Sequence, residues 1–399
     1  MKIAISGASG FIGKRLSAFL ELQGHQVVPL GRAMFRDNMS DQLIARLSQC
    51  EVVINLAGAT INRRWTTEYK KELYNSRINV TRRLVQTINS LEQKPQLFIS
   101  ASAVGYYPTE GCHDDYSQER GEGFLSDLCC RWEAEAAKVH TDTRLVITRF
   151  GVVLSPDGGA FKELSRSLKL KMAVAIGPGN QYFPWIDIRD LNKAMLHVIK
   201  TTSIIGIINF VAPHQITQTE LRDRMAWRYS SWFKLTVPSA VIRFFMGEAS
   251  NFLTTGQCVI PATLEETGFE FSANDIDEFL ADTTKWTVRK IDLSRYMGKW
   301  YEIARFENRF ERNLTRVTAE YTLLSGNKIR VVNSGYLNGE LNVSEGKAYV
   351  PDPDTPGKLK VAFFLWFYSD YYILELDEVN YNYVLIGSSN NNYLWILSR

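Results

Sequence analysis

The sequence predicts a doubly wound parallel α/β sheet with a small substrate lobe, followed by an all-β eight-stranded barrel. Three observations predict it. Up to about Lys200, short β-branched apolar runs alternate with longer helical patterns; a glycine-rich turn closes the first of those runs; and after residue 284 the pattern changes to eight short, aromatic-rich runs parted by turn residues. At 399 residues the chain also exceeds what one hydrophobic core usually organises.

The first part runs KIAIS, FIGKRLSAFLEL, HQVVPL, DQLIARL, EVVINLA, TRRLVQTINSL, QLFISAS. Strands and helices in alternation require parallel pairing through crossover helices. Residues 201–284 hold INFVAP, a helix from about Thr219 and a closing helix in NDIDEFLADTT, which reads as a lobe appended to the sheet. The tail runs KWYEIARF, RVTAEYTLL, KIRVVNSGYL, ELNVSEGKAYV, KLKVAFFLWF, DYYILELD, YNYVLIG and NYLWILSR, an antiparallel meander that closes best as a barrel. The expected boundaries are a domain over 1–284, a linker over 285–290 and the barrel over 291–399. A linker this short favours fixed placement over free tethering.

The formal charge is +3, and residues 285–399 hold 15 Lys or Arg against 13 Asp or Glu. Neither part carries the concentrated basic face that phosphate-backbone binding needs, which argues against nucleic acid. All five cysteines (Cys50, Cys112, Cys129, Cys130, Cys258) lie in the first part and read as free thiols of a reducing compartment. MKIAISGASG is a strand entering a glycine turn, not a secretion signal, and no apolar run reaches the roughly 18 residues of a membrane span. The expectation is a soluble, cytoplasmic protein, with no metal site.

The strongest local signal is Gly7-Ala-Ser-Gly10-Phe11-Ile12-Gly13, between the first strand and the first helix. Gly7 permits the tight turn, Gly10 admits a pyrophosphate to the backbone and Gly13 allows close helix–strand packing, while the helix N-terminus faces the phosphate charge. The second strand then runs into Gly31-Arg32 instead of the acidic residue that would bind a ribose hydroxyl. Arg32 offers a cationic fork to a 2′-phosphate, so the sequence predicts NADP over NAD.

Around this Rossmann signal, SGASGFIG, VINLAGATI, SRINVTRRLV, ISASAVGYY, RFGVVLSPDGGAF, GPGNQYFPWIDIRDL and GQCVIPATLEETGF together resemble the atypical extended short-chain dehydrogenase/reductase family, in its epimerase 39U branch. The resemblance implies that Gly31 and Arg32 bind the adenosine phosphate, that Leu56, Ala57 and Gly58 line the cofactor, and that Glu72, Arg77 and Val153 lie near NADP. The wider superfamily uses an Asn-Ser-Tyr-Lys set in which Tyr is the acid/base. Asn79 and Ser102 occupy fitting places, but the window Leu125–Arg131 holds neither the Tyr nor the Lys. Tyr106, just beyond Ser102, is the candidate proton-transfer group. Arg131 could replace the lysine's charge but cannot shuttle a proton.

In the tail, Gly298-Lys-Trp300, Ser369-Asp370-Tyr371 and Arg399 resemble the three sequence regions of lipocalins, in the bacterial apolipoprotein-D-like branch. Trp300 would plug the closed end with Arg399 laid across its indole, and Leu359, Val361 and Phe363 would form an apolar wall. The resemblance implies a fatty acid or lysophospholipid ligand. Such barrels continue into a packed C-terminal helix, whereas this sequence stops at Arg399: either the sequence is truncated or the barrel tolerates an uncovered flank, and in both cases reduced stability is expected.

Two functional expectations stand together. In one, an NADP(H)-dependent oxidoreductase or epimerase acts on a carbonyl or hydroxyl substrate through Ser102 and Tyr106. In the other, the domain binds NADPH without turnover, as a sensor or scaffold.

Overall fold

The computed structural model describes residues 1–35, 40–156, 158–168, 170–283, 287–288, 290–308, 311–325, 328–351, 356–363, 368–388 and 393–399. They form two compact units, Met1–Leu280 and Ala281–Arg399. Of the expected linker 285–290, residues 285, 286 and 289 lie outside the described residues, as do residues 364–367 of KLKVAFFLWF.

The N-terminal unit is built on strands β1 (Lys2–Ser6), β2 (Gln26–Leu30), β3 (Val52–Asn55), β4 (Leu97–Ala103), β5 (Arg144–Phe150) and β6 (Gly206–Phe210). All pair in parallel, in the order β6-β5-β4-β3-β1-β2. Strands buried on both faces must be apolar throughout, and β1, β3 and β4 are buried almost end to end. The connecting helices are α1 (Phe11–Leu22), α2 (Ser40–Leu47), α3 (Thr67–Tyr74), α4 (Val80–Ser90) and α5 (Phe124–Ala136). Further on come α6 (Gly159–Leu168), α7 (Ile188–Lys200), α8 (Gln218–Arg228) and α9 (Ser239–Met246). The chain reverses direction across the sheet at β1, with β2 on one side and β3 on the other, and such a switch point opens a crevice at the strands' carboxyl ends.

A second core forms the lobe, where Phe161, Trp185, Leu221, Met225 and Phe279 pack together beside the paired strands Met172–Ile176 and Phe233–Val237. One expectation is corrected here. Cys112 and Cys258 are joined by a disulfide, their Cα atoms 4.5 Å apart on the short paired strands Cys112–His113 and Cys258–Val259. Their separation of 146 residues hid a pairing that only the tertiary fold creates. Cys50, Cys129 and Cys130 are free. The argument from cysteines to a reducing compartment therefore loses its basis. Among the described residues no helix is long and apolar enough to cross a membrane.

The C-terminal unit is a closed barrel of eight antiparallel strands, Gly298–Arg305 through Leu394–Ser398, with the first paired to the last. Trp300 is wholly buried, donates its indole N–H to the Tyr296 carbonyl at 2.9 Å and carries the Arg399 guanidinium 4.4 Å from its ring centre. Arg399 also donates to the Met297 carbonyl at 2.8 Å. Gly298 is required beneath it: its φ is +101°, and a Cβ there would lie 2.8 Å from the guanidinium. Leu359 and Val361 join the barrel core, whereas Phe363 is 39% exposed. Arg399→Ala removes the cation–π contact and its hydrogen bonds, and is expected to lower barrel stability by about 1–3 kcal/mol in urea unfolding while the N-terminal unit's transition stays in place.

Candidate dinucleotide site and the network behind it

The site is assembled at the carboxyl edge of the sheet. Gly7 follows β1 with φ +74°, and a Cβ on it would lie 2.7 Å from the Leu56 carbonyl oxygen, at the end of β3. A Cβ on Gly13 would come 2.2 Å from the Gly7 oxygen. Neither position accepts a side chain, so the turn is pressed against both its helix and the neighbouring strand. Gly10 is the N-cap of α1, with no side-chain cap and no acidic residue in the first turn. The amides of Phe11, Ile12 and Gly13 thus start a helix whose first turn holds no acidic residue of its own. The Phe11 ring meets the Gly158–Gly159 backbone, where a Cβ would come within 2.6–2.8 Å of it, and Val153 is half-buried beside that contact.

Because Ser6 pairs with Leu30 and with Asn55, the turns after β1, β2 and β3 lie side by side. Gly31 and Arg32 follow β2, both exposed, with Arg32 opening a short 3-10 turn. Leu56, Ala57 and Gly58 follow β3. Gly58 sits against Arg77: a Cβ there would be 2.9 Å from the guanidinium carbon. Arg77 donates to the Ala59 carbonyl at 3.0 Å and lies 5.3 Å from the Trp132 ring centre, and its burial holds the guanidinium below its ordinary pKa. Glu72 is exposed on α3.

The candidate proton-transfer residues are distributed unevenly. Ser102 is buried at the end of β4 and donates its hydroxyl to Glu133 Oε1 at 2.5 Å. Asn79 is exposed, accepting from Arg82 and donating to Asn75 Oδ1, both at 3.0 Å. Tyr106 is half-buried beyond Ser102, with the Arg149 guanidinium 3.5 Å from its ring centre. Arg131 points outward to Asp127 at 2.9 Å, away from Ser102.

Sequence reasoning missed the pair that dominates this region. On α5, Glu133 takes a bidentate hydrogen bond from Arg149 of β5, Nε to Oε1 at 2.9 Å and Nη2 to Oε2 at 2.7 Å. Burial disfavours the Arg149 charge, but Glu133 more than offsets this and its pKa lies above the ordinary value. Cys129, one helical turn before Glu133, is fully buried, and burial pushes its thiol up to about 12. Arg149, following the apolar run Leu145-Val146-Ile147 inside the strand RLVITRF, was the available signal for a buried partner. The network continues: Tyr107 donates to Asn209 Oδ1 at 3.0 Å and stacks on His113, next to the disulfide. Asp115 accepts the backbone N–H groups of Asn209 and Thr263.

This fold and site define a Rossmann-type dinucleotide-binding unit joined to a calyx-like barrel. The model of the NAD dependent epimerase/dehydratase family matches residues 3–209, and the chain belongs to that family. A domain of unknown function, DUF1731, matches 237–283, and a lipocalin-like domain matches 291–399. Epimerase family protein SDR39U1 of Bos taurus is 33% identical over 291 residues, covering 71% of this chain and 99% of the relative. The chloroplastic SDR39U1 homolog of Arabidopsis thaliana is 33% identical over 298 residues, covering 70% and 86%. The crystal structure of human SDR39U1 isoform 2 with NADPH superposes with a TM-score of 0.66 at 32% identity, covering 71% of this chain and 99% of that one.

Two outcomes are expected. Glu133→Gln strands a buried arginine charge and should cost about 3–5 kcal/mol in urea unfolding of the N-terminal unit. Burial raises the Asp115 pKa from 3.8 to about 6, so the folded state holds its proton more tightly than the unfolded state. That contribution is complete below the unfolded value and is lost as pH rises through the folded one. Relative to Asp115→Asn, the wild type should lose up to about 3 kcal/mol of stability between pH 4 and pH 6, and a flat difference would contradict the assignment.

Proposed function

We propose that the N-terminal unit binds NADP(H) and acts as an oxidoreductase or epimerase on a small carbonyl or hydroxyl substrate. The observation that carries this is the turn Gly7–Gly13 at the switch point, closed to a Cβ at both Gly7 and Gly13, which feeds an uncapped helix start beside Arg32. These residues fit a dinucleotide. The amides of Phe11, Ile12 and Gly13 would hold the pyrophosphate, Arg32 and the Gly31 backbone the 2′-phosphate, and Leu56, Ala57, Gly58 and Val153 the apolar faces. The family and the NADPH-bound human relative support this reading.

When bound, the nicotinamide supplies hydride chemistry. What the chain supplies is orientation and a proton. Ser102 has committed its proton to Glu133 and can offer a substrate only its oxygen as acceptor. Tyr106 is the phenol proposed for proton transfer, its ring held under the Arg149 guanidinium at 3.5 Å. Glu72, Arg77 and Asn79 stand nearby as positioning residues on the helical segment opposite α5.

A specific observation favours the second reading, binding without turnover. On α5 the side chains facing Ser102 are a thiol held protonated by burial and a carboxylate whose two oxygens are taken up by Ser102 and Arg149. For the barrel, the proposal is an apolar ligand of the fatty acid or lysophospholipid class, supported by the lipocalin-like match and by inward Leu359 and Val361.

Arg32→Ala should reduce the NADPH-over-NADH affinity ratio by about tenfold or more, read by fluorescence titration, and an unchanged ratio would remove the NADP assignment. Single-turnover absorbance of bound NADPH against a carbonyl panel separates the two readings. Oxidation that Tyr106→Phe slows supports catalysis, and tight binding without oxidation supports the sensor.

A further inference from the structure

The N-terminal unit exposes a large apolar surface within residues 227–245. Trp227 is 75% exposed, Trp232 80%, Phe244 77% and Phe245 70%. Single exposed apolar side chains are ordinary, but a run of aromatics this open marks an interaction surface.

Secondary structure sets its shape. In the strand Phe233–Val237, Lys234 and Thr236 turn toward α8: Lys234 Nζ lies 3.3 Å from Asp223, and Arg222 donates to the Thr236 hydroxyl at 3.0 Å. Phe233, Leu235 and Val237 therefore occupy the other face, together with their register partners Met172, Val174 and Ile176. All six are apolar and none is buried. One face of this two-stranded sheet is thus packed on α8 and the other is open. After Pro238 the chain enters α9, which buries none of its side chains and carries Val241, Phe244 and Phe245 at helical spacing on one stripe.

The surroundings are basic. Residues 222–245 hold five Lys or Arg against one Asp or Glu, and residues 162–171 hold four against one, although the whole chain is only +3. Arg224 pairs with Asp277 at 2.8 Å, while Arg222 and Lys234 share the one carboxylate of Asp223, which leaves the segment positive. Lys171 is exposed at the turn that accepts the Trp232 N–H at 2.9 Å.

We propose that this face docks the protein on an anionic lipid surface, with Trp232, Phe244 and Phe245 entering the interface and Lys171 and Arg243 meeting the headgroups. Charge decides among occupants. A two-fold contact with a second copy would bring the same basic segments against themselves. Single-stranded nucleic acid would use the cations and aromatic rings, but not the aliphatic Leu235, Val174, Ile176 and Val241. An anionic leaflet satisfies cations, aromatics and aliphatics together.

The test is co-sedimentation of the full chain with vesicles of equimolar phosphatidylcholine and phosphatidylserine, and with vesicles of phosphatidylcholine alone. Binding to the anionic vesicles is expected, weakened by salt and lowered at least about tenfold by joint Phe244→Ser and Phe245→Ser, with thermal melting and NADPH affinity unchanged. Because both positions lie in the N-terminal unit, lipid held by the barrel would not respond to them. The proposal is overturned if the protein stays in solution with anionic vesicles at low salt, or if the double variant binds them as the wild type does. It is equally overturned if the double variant dissolves a wild-type dimer, or abolishes oligonucleotide binding, while vesicle affinity is unaffected.

Discussion

The N-terminal unit is organised around one close approach, the passage of the first turn over the end of β3. With Gly7 pressed on the Leu56 carbonyl and Gly13 on the oxygen of Gly7 itself, no side chain can intervene between strand, turn and helix. That contact fixes the direction of α1 and so the direction of its first amides. The edges that follow β2 and β3 are placed by parallel register to the same strand, which brings Arg32 on one side and Gly58 with Arg77 on the other to a common crevice. A methyl group at either glycine would displace backbone and not merely a flexible side chain.

Behind that crevice the chain has exchanged titratable chemistry for rigidity. The window Leu125–Arg131 lacks the tyrosine and lysine of the superfamily pattern, and on the same helix Cys129 is buried and Glu133 is held by an arginine from the adjacent strand. The ion pair locks Ser102 on one side, and Arg149 supports Tyr106 and Tyr107 on the other. Tyr107 hands the same constraint to Asn209 and, through its stack on His113, to the disulfide-linked strands. A buried ion pair contributes specificity more readily than stability, because both charges lost their water.

What the amino-acid sequence disclosed follows from which forces are local. KIAIS and QLFISAS declare buried parallel strands by being apolar at every position, and the barrel runs declare themselves by alternation and by turns such as LNGE. Trp300 and Arg399 were legible as a pair although they lie far apart in the chain, because the motifs that carry them resemble those of lipocalins. Glu133 with Arg149 was not, since a glutamate on a helix normally reads as a solvated face and its partner comes from another element. The Cys112–Cys258 bond failed to show for the same reason: two-residue strands leave no periodic trace. The open face of Phe233–Val237 was invisible too, because FKLTV alternates like any half-buried strand and only the structure shows which side lacks a cover.

The account turns on the crevice at the first turn, and a crystal structure of the full chain grown with NADPH tests it most directly. The pyrophosphate should lie within hydrogen-bonding distance of the Phe11–Gly13 amides, with the adenosine 2′-phosphate against the Arg32 guanidinium. A dinucleotide bound elsewhere, or a turn closed over by neighbouring side chains with NADPH at saturating concentration, would contradict it.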